Sequence, residues 1–198
     1  SEHRGIVLVA YGDTPLLEAE SLKAFVDFHA ASSAVISILS GKVADPTGYG
    51  RIIRNDQGQV EAIVEHKDAN DEQRLVREIN SGILAFNADF LDHALPQLSN
   101  ANAAGEYYLT DTIALARQNG EIVDAFVLDD VDQTEGANDR VQLAKMAKEK
   151  NRRILQKWMR AGVTIMVPAT TWIDADVRLE PDVTILPGVQ LLGATVIA

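Results

Sequence analysis

The residues best suited to chemistry directly follow the first apolar run of the chain. Residues 6–10 read Ile-Val-Leu-Val-Ala, a run typical of a buried strand, and Tyr11, Gly12 and Asp13 come next. Ligands of open α/β sheets bind beyond the carboxyl ends of the strands, where a carboxylate can hold a divalent cation against a phosphate. The alternative is that Asp13 only caps a helix that begins at Pro15. The junction alone favours neither interpretation.

Three further polar clusters lie between residues 45 and 140. The first, at 45–51, reads Asp-Pro-Thr-Gly-Tyr-Gly-Arg. Its glycines let the backbone approach a ligand, although a plain turn explains them almost as well. The second pairs Glu65 with Asn80, for which a satisfied surface position is the simpler interpretation. The third comprises residues 106–111 and 136–140, in which Thr110 and Asn138 occupy positions expected for helix N-caps.

Motifs for covalent catalysis and for phosphate-binding loops are absent from the sequence. It contains no Gly-x-Ser-x-Gly turn, no cysteine, no P-loop and no Gly-x-Gly-x-x-Gly after a strand. The remaining residues suit a reaction that needs little acid–base catalysis. Nucleotidyl transfer to an anionic phosphate is such a reaction, because the nucleophile is already charged and catalysis consists mainly of positioning and charge neutralisation.

The elements that must position these residues alternate between strand and helix patterns up to about residue 128. Strand-like runs lie at 6–10, 34–39, 79–86 and 122–128, and helical stretches lie at 15–31, 88–98 and 110–118. Residues 51–54 and 60–65, joined by Asn-Asp-Gln-Gly, predict an inserted β-hairpin. Strands separated by helices predict an α/β fold with a largely parallel sheet and helices on its faces.

The spacing of the apolar residues changes after Gly162. Residues 138–161 predict a long, highly charged helix, which Gly162 ends. Beyond it, aliphatic residues recur every six positions, at 173, 179, 185, 191 and 197, and a second series begins two positions earlier with Thr171. A six-residue repeat is typical of a parallel β-helix, in which each side of a triangular coil turns an aliphatic residue inward.

Composition excludes several classes of protein. With 46% hydrophobic and 24% charged residues, the 198-residue sequence is that of an ordinary globular protein. The net charge of −11 argues against a nucleic-acid partner, because binding to a phosphate backbone needs a basic surface. No apolar run is long enough to cross a bilayer, so no membrane partner is predicted. The lack of cysteine excludes disulfides and agrees with a cytoplasmic location.

Together, these motifs closely resemble the bifunctional bacterial family of N-acetylglucosamine-1-phosphate uridylyltransferase / glucosamine-1-phosphate acetyltransferase enzymes. The resemblance covers essentially the whole chain and rests on the order and spacing of residues 11–16, 45–52, 63–68, 78–82, 105–111 and the six-residue repeat. It implies a partial uridylyltransferase domain at 1–137 with the Rossmann-like mixed sheet of glycosyltransferase A-like nucleotidyltransferases. It further implies a linker helix at 138–162 and, at 163–198, the start of a left-handed parallel β-helix that forms homotrimers.

The resemblance also implies an activity. UMP is transferred from UTP to N-acetylglucosamine 1-phosphate, which gives pyrophosphate and UDP-N-acetylglucosamine, a precursor of peptidoglycan and lipopolysaccharide. The parent protein also acetylates glucosamine 1-phosphate with acetyl-CoA. Asp13 and Asn138 match the family's Mg²⁺ ligands, although Asp139 replaces the family's usual asparagine. Tyr11 and Gly12 match positions on the nucleotide side of the pocket. The positions that match the sugar side are Gly50, Glu65, Asn80, Tyr108 and Thr110.

The same resemblance places the family's Gly-rich triphosphate loop before Ser1 and its acetyl-CoA site after Ala198. The chain is therefore expected to be a piece of a longer protein, and to have negligible activity of either kind by itself. Two alternatives remain open. One is another sugar-1-phosphate nucleotidyltransferase with a β-helix tail, and the other is a non-catalytic scaffold that binds a sugar nucleotide.

Overall fold

The first of two compact units is built on a six-stranded sheet. The structure, a computed structural model, describes residues 5–100 and 105–198, and the units comprise residues 1–135 and 136–198. The strand order is β4-β3-β5-β2-β6, and β1 also pairs with β5. The strands are β1 (Ile6–Val9), β2 (Ile36–Lys42), β3 (Arg51–Arg54), β4 (Val60–Val64), β5 (Glu78–Asn87) and β6 (Val123–Leu128).

The sheet is mixed, and the largely parallel sheet that the alternating pattern predicts is wrong. Among the described strands of this sheet, β2 and β6 form the one parallel pair. The long strand β5 runs antiparallel to β1, to β2 and to β3, and the predicted hairpin β3–β4 is antiparallel as well. The pattern of strands and helices does not determine which neighbour a returning strand pairs with, and here β5 returns between β2 and β3.

Helices cover the sheet. They are α1 (Ala19–Ala31), α2 (Asp71–Arg74), α3 (Ala88–Ala94) and α4 (Asp111–Gln118), with short 3₁₀ turns at Leu95–Gln97 and Val131–Thr134. Residues from alternate positions of β2 and β5 enter two apolar clusters. One cluster contains Ile38 and Phe86, and the other contains Leu39 and Ala85 together with Phe25 of α1. Because successive residues of a strand point to opposite faces, these strands are buried on both sides of the sheet.

A network of charged and polar side chains crosses the sheet near the start of β5. Arg54 on β3 donates from Nε to Glu78 Oε2 at 2.8 Å and from Nη2 to Glu78 Oε1 at 2.7 Å, and the Ser40 hydroxyl on β2 donates to the same Oε1 at 2.7 Å. Burial by itself raises the pKa of the Glu78 carboxyl. The hydrogen bonds from Arg54 and Ser40 outweigh burial and hold that pKa below its ordinary value.

Replacing Arg54 with methionine is expected to lower the free energy of unfolding by about 3 kcal/mol, because it leaves Glu78 buried without its cation. Since the folded pKa of Glu78 lies below its ordinary value of 4.5, the pair stabilises the fold above about pH 4.5. That contribution is lost as the pH falls through the folded pKa. Urea unfolding of both proteins at about pH 7 and about pH 3 measures the difference, which we expect to shrink in acid.

The matched control is Arg74→Met, which removes an exposed arginine whose Nη1 lies 3.9 Å from Asp71 Oδ1. An exposed pair of this kind contributes at most about 1 kcal/mol. The assigned network is contradicted if Arg54→Met lowers the free energy of unfolding no more than Arg74→Met does. It is also contradicted if the effect of Arg54→Met is the same at both pH values.

The second unit consists of a long helix followed by short strands. Helix α5 (Arg140–Arg160) precedes the 3₁₀ turn Pro168–Thr170 and strands of two residues each. These strands are β7 (Thr164–Ile165), β8 (Trp172–Ile173), β9 (Arg178–Leu179), β10 (Thr184–Ile185), β11 (Gln190–Leu191) and β12 (Val196–Ile197). The pairs β7–β10, β8–β11 and β9–β12 are parallel. Each strand thus pairs with the third strand after it, as expected when three sides make one turn of a coil.

The six-residue series points into this coil. Ile173, Leu179, Ile185 and Leu191 are buried in a single cluster, against which Ile197 also packs. Leu155 of α5 belongs to the same cluster, and Asn151 joins the helix to the coil through hydrogen bonds. Its Nδ2 donates to the Thr171 carbonyl at 2.8 Å, and its Oδ1 accepts from the Ile173 N–H at 3.0 Å. In the described ranges 5–100 and 105–198, none of the helices has the length and apolar character that crossing a membrane requires.

Candidate functional site

The segment after β1 projects two of the predicted residues into solvent. Gly12 and Asp13 are exposed in a turn, and the Asp13 carboxylate makes no hydrogen bond to any described residue. Helix α1 begins only at Ala19, after Glu18 in the N-cap position, so the alternative that Asp13 caps a helix from Pro15 is wrong. The Thr14 hydroxyl instead donates to the Tyr11 carbonyl at 3.1 Å, which folds this segment into a turn.

The Tyr11 ring lies directly against Gly82 of β5. A Cβ atom added to Gly82 would lie 2.2 Å from Tyr11 Cε2, and Gly82 has a φ of +81°. Pairing between β2 and β5 is irregular at this point, because Ile38 pairs with Leu84 whereas Ser40 pairs with Asn80. Bulges of this kind redirect side chains and are frequent beside active sites. Here the bulge brings the backbone of β5 under the aromatic ring.

Gly50, Glu65 and Asn80 form a transverse row across three neighbouring strands. The Asn80 N–H donates to the Gly50 carbonyl at 2.9 Å. A Cβ atom on Gly50 would lie 3.1 Å from Glu65 Oε1, so the absence of a side chain here lets the carboxylate approach. The Asn80 side chain in turn accepts from the Gly82 N–H at 2.9 Å, which connects the row to the bulge under Tyr11. Glu65 and Asn80, which form one candidate cluster in the sequence, thus each lie beside Gly50.

A pocket of about 730 Å³ extends from Glu65 to the start of α4. Its walls include Glu65, Tyr108 and Thr110, three of the residues predicted to contact a sugar, together with His66 and Lys67. Contacts therefore run from Tyr11 through the bulge and the transverse row to this pocket. These contacts connect Tyr11, a predicted nucleotide-side residue, with the predicted sugar-side residues of the first unit.

Thr110 occupies the N-cap position predicted for it, whereas Asn138 does not, and neither side chain caps a helix. Thr110 directly precedes α4, but its backbone is already helical and its side chain makes no capping bond. Asn138, in the second unit, is exposed and precedes the true N-cap of α5, because Asp139 accepts from the Gln142 N–H at 2.7 Å. The capping interpretation is therefore wrong for both side chains. A sequence pattern locates a helix start only to within a residue or two.

The residues present agree with a metal site to which the protein contributes few ligands. Magnesium is usually held by one or two carboxylates, with substrate phosphates and water completing its coordination. The exposed, unpartnered carboxylate of Asp13 fits that requirement. Within the described parts of the chain, no group of three or more His, Asp or Glu side chains is arranged to bind a metal. Asp13 and Asn138 belong to different units, and their joint role as ligands stays a prediction.

The loop at 45–51 is held by hydrogen bonds. The Thr47 N–H donates to Asp45 Oδ1 at 3.0 Å. The bonds from Thr47 hold the pKa of the Asp45 carboxyl below its ordinary value, and the positive charge of Arg51 acts in the same direction. The Tyr49 N–H donates to the Pro46 carbonyl at 3.2 Å, so the turn interpretation of this loop is confirmed. That its glycines let the backbone approach a ligand stays a prediction.

Three residues at the site were not identified from the sequence. Gly82 carried a signal, since a glycine inside a strand pattern suggests a bulge or a close backbone approach. Arg51 and His66 lie within segments that carry the resemblance, but nothing singled them out individually, because an arginine at a strand end and a histidine after a hairpin are ordinary surface residues. Arg51 is nevertheless almost completely buried, at 1% exposure, and it contacts His66.

Comparison with known proteins identifies the family of the chain. The family described as nucleotidyl transferase matches residues 1–174. A protein named bifunctional protein GlmU from Kineococcus radiotolerans is 54% identical over 194 residues, which are 98% of this chain and 39% of that protein. Its namesake from Cutibacterium acnes is 53% identical over 203 residues, covering 99% of this chain and 48% of that protein. The chain thus spans less than half the length of these relatives.

Solved structures share the fold at low sequence identity. One is a glucose-1-phosphate thymidylyltransferase from Bacillus anthracis, with a TM-score of 0.51, 15% identity, and coverage of 72% of this chain and 53% of that one. Another is a CMP:2-keto-3-deoxy-manno-octonic acid synthetase, also with a TM-score of 0.51, at 13% identity and with coverage of 77% and 62%. The resemblance inferred from the motifs is confirmed, and the chain belongs to the nucleotidyl transferase family of enzymes.

Proposed function

We propose that the protein transfers UMP from UTP to N-acetylglucosamine 1-phosphate, giving UDP-N-acetylglucosamine and pyrophosphate. The observation that carries this proposal is the chain of contacts from Tyr11 to the pocket lined by Glu65. It combines an aromatic ring, a carboxylate that has no partner among the described residues, and a pocket of about 730 Å³ with charged residues in its wall, which is large enough for a sugar phosphate. The high identity to proteins named GlmU supports the same assignment.

The polar residues of the pocket suit recognition of a hydroxylated, acetamido sugar. Glu65 in the pocket wall accepts hydrogen bonds from hydroxyl groups. The Asn80 side chain, in the same transverse row but outside the pocket lining, donates from its Nδ2 amide, while its Oδ1 accepts from the Gly82 N–H. A sugar that lacks these groups leaves buried polar atoms unpaired, which is the main source of discrimination at such sites. Tyr11 and Gly12 contact the nucleotide, and the attacking oxygen belongs to a phosphate that needs no general base.

Asp13 is the proposed protein ligand of Mg²⁺ in the first unit, and Asn138 is the proposed second ligand. When bound, the ion supplies charge neutralisation and alignment of the phosphate oxygens. Lys67 in the pocket wall adds positive charge near the sugar phosphate. A protein of net charge −11 needs both to bind two anionic substrates.

The test is an assay of the protein expressed from its complete gene, with UTP, N-acetylglucosamine 1-phosphate and MgCl₂. We expect UDP-N-acetylglucosamine and pyrophosphate to form in equal amounts, and we expect no product when EDTA is present. A panel with glucose 1-phosphate and dTTP, or with CTP, tests the alternative of another sugar nucleotide, since the solved neighbours are named for such substrates. Faster turnover of any of those pairs overturns the proposed substrates while retaining the reaction class.

The second unit is proposed to be the beginning of a left-handed parallel β-helix that assembles as a homotrimer. The parallel pairing of every third strand and the inward six-residue series support this proposal. In the intact protein we propose acetyl-CoA-dependent acetylation of glucosamine 1-phosphate as a second activity, in line with the word bifunctional in the relatives' name. Light scattering and an acetyl-transfer assay of the intact protein test the two proposals separately.

A further inference from the structure

Arg51 is a buried cation whose charge acts on the exposed Asp45 carboxylate without a direct contact to it. It is the largest of the fully buried side chains, and among the described residues it forms no ion pair. Its Nε is buried and has no hydrogen-bond partner in the part of the chain that the structure describes. Burying a charge without compensation is costly, and an apolar residue of the same volume usually gives a more stable fold. Packing alone therefore does not account for an arginine at this position.

The remaining guanidinium nitrogens join two chain segments. Nη1 donates to the Tyr49 carbonyl, and Nη2 lies 3.1 Å from His66 Nδ1. An arginine has only donors, so His66 Nδ1 must accept, and the neutral imidazole then carries its proton on Nε2. The contact therefore determines both the orientation and the tautomer of a histidine in the pocket wall.

The strand register shows why these two segments matter. Arg51 pairs with Val64 on one side and with Ile79 on the other. The next residues along each strand form the transverse row of Gly50, Glu65 and Asn80. Tyr49 directly precedes Gly50, and His66 directly follows Glu65. The guanidinium thus binds the residue immediately before Gly50 and the residue immediately after Glu65.

We propose that Arg51 is a positioning residue for the sugar side of the site. Through Tyr49 and His66 it holds Gly50 and Glu65 in the geometry that binds the sugar 1-phosphate, without contacting the substrate itself. This inference rests on the proposed function. Lysine cannot substitute, because a single ammonium group does not reach both acceptors in the fixed fork geometry of a guanidinium.

The test uses the protein expressed from its complete gene and compares Arg51→Lys, His66→Leu and His66→Asn. For Arg51→Lys and His66→Leu we expect the KM for N-acetylglucosamine 1-phosphate to rise by about tenfold or more, since bonds from a charged donor are lost. The KM for UTP should change by less than about twofold. Asparagine at position 66 offers an amide oxygen as acceptor near the place of Nδ1, so His66→Asn should recover to within about threefold of the original KM.

Controls separate this role from general stability. His93→Leu removes an exposed histidine of α3 and should leave both KM values unchanged. If Arg51→Lys fails to fold, the two His66 variants still decide the question, because His66 is only partly buried. Equal increases in both KM values, or a His66→Asn variant as impaired as His66→Leu, overturn the inference.

The parent protein tests the proposed function independently of these variants. If it turns over a different sugar 1-phosphate, the proposed substrate is wrong, and the same variant comparison is made with the sugar that it uses. An unchanged KM for that sugar in Arg51→Lys and His66→Leu then rejects the positioning role. A parent protein that uses no sugar 1-phosphate rejects both proposals.

Discussion

We expect Asp13→Ala to lower kcat/KM for UDP-N-acetylglucosamine formation by the intact protein by at least about 100-fold. Mutation of residues that only contact a metal ligand already lowers metal affinity or activity by about 10–100-fold, and Asp13 is proposed to bind the metal directly. Because its carboxylate is exposed and unpartnered among the described residues, its removal should change the free energy of unfolding by no more than about 0.5 kcal/mol. Steady-state kinetics and urea unfolding measure the two quantities.

The matched control is Asp56→Ala, which removes an equally exposed carboxylate from the turn of the β3–β4 hairpin. It changes the net charge by the same amount, so any general electrostatic effect on the anionic substrates appears in both variants. Raising the Mg²⁺ concentration should partly restore the Asp13 variant and leave the Asp56 variant unaffected. Equal activities of the two variants would falsify the metal-ligand role and would favour the non-catalytic scaffold, which needs no such carboxylate.

The position of most elements of the first unit follows from local patterns in the sequence. The predicted strand at 6–10 is observed as Ile6–Val9, and the predicted hairpin at 51–54 and 60–65 is observed as Arg51–Arg54 and Val60–Val64. Apolar periodicity and turn residues carry this information over a few residues. The relative direction of the strands does not follow from local patterns, because it depends on which strands meet in three dimensions. The antiparallel placement of β5 was therefore not predicted from periodicity.

Candidate site residues were found where a residue type is unusual for its position, as with Asp13 after the apolar run 6–10. The prediction that this run is a buried strand is wrong, because the residues of β1 are exposed or half-buried. The residues that support the candidate site residues were missed for the opposite reason. Arg51 starts a strand that reads Arg-Ile-Ile-Arg, a pattern that suggests two exposed charged ends around an apolar centre. In the structure Arg51 is buried, because its guanidinium finds acceptors on Tyr49 and His66. Such a contact joins residues from two strands and leaves no local signal.

Gly82→Ala is the second substitution with a large expected effect. A side chain at a φ of +81° costs about 1–2 kcal/mol, and the new Cβ would lie 2.2 Å from Tyr11 Cε2. The tyrosine ring must therefore move away from the bulge. We expect the free energy of unfolding to fall by the backbone cost and by at least about 1 kcal/mol more, because the new side chain overpacks the site. With Tyr11 displaced from the nucleotide side, the KM for UTP should rise by about tenfold.

Gly58→Ala provides the control, because Gly58 has nearly the same φ, +79°, but no atom lies within 4 Å of its added Cβ. It carries the backbone cost without the collision and is expected to leave both KM values unchanged. In a Tyr11→Ala background the collision is gone, so Gly82→Ala should then cost no more than Gly58→Ala. If Gly82→Ala lowers the free energy of unfolding by the same amount with and without the Tyr11 ring, the bulge and not the ring requires glycine at this position. In that case the path of contacts from the nucleotide side to the transverse row is broken at its first step.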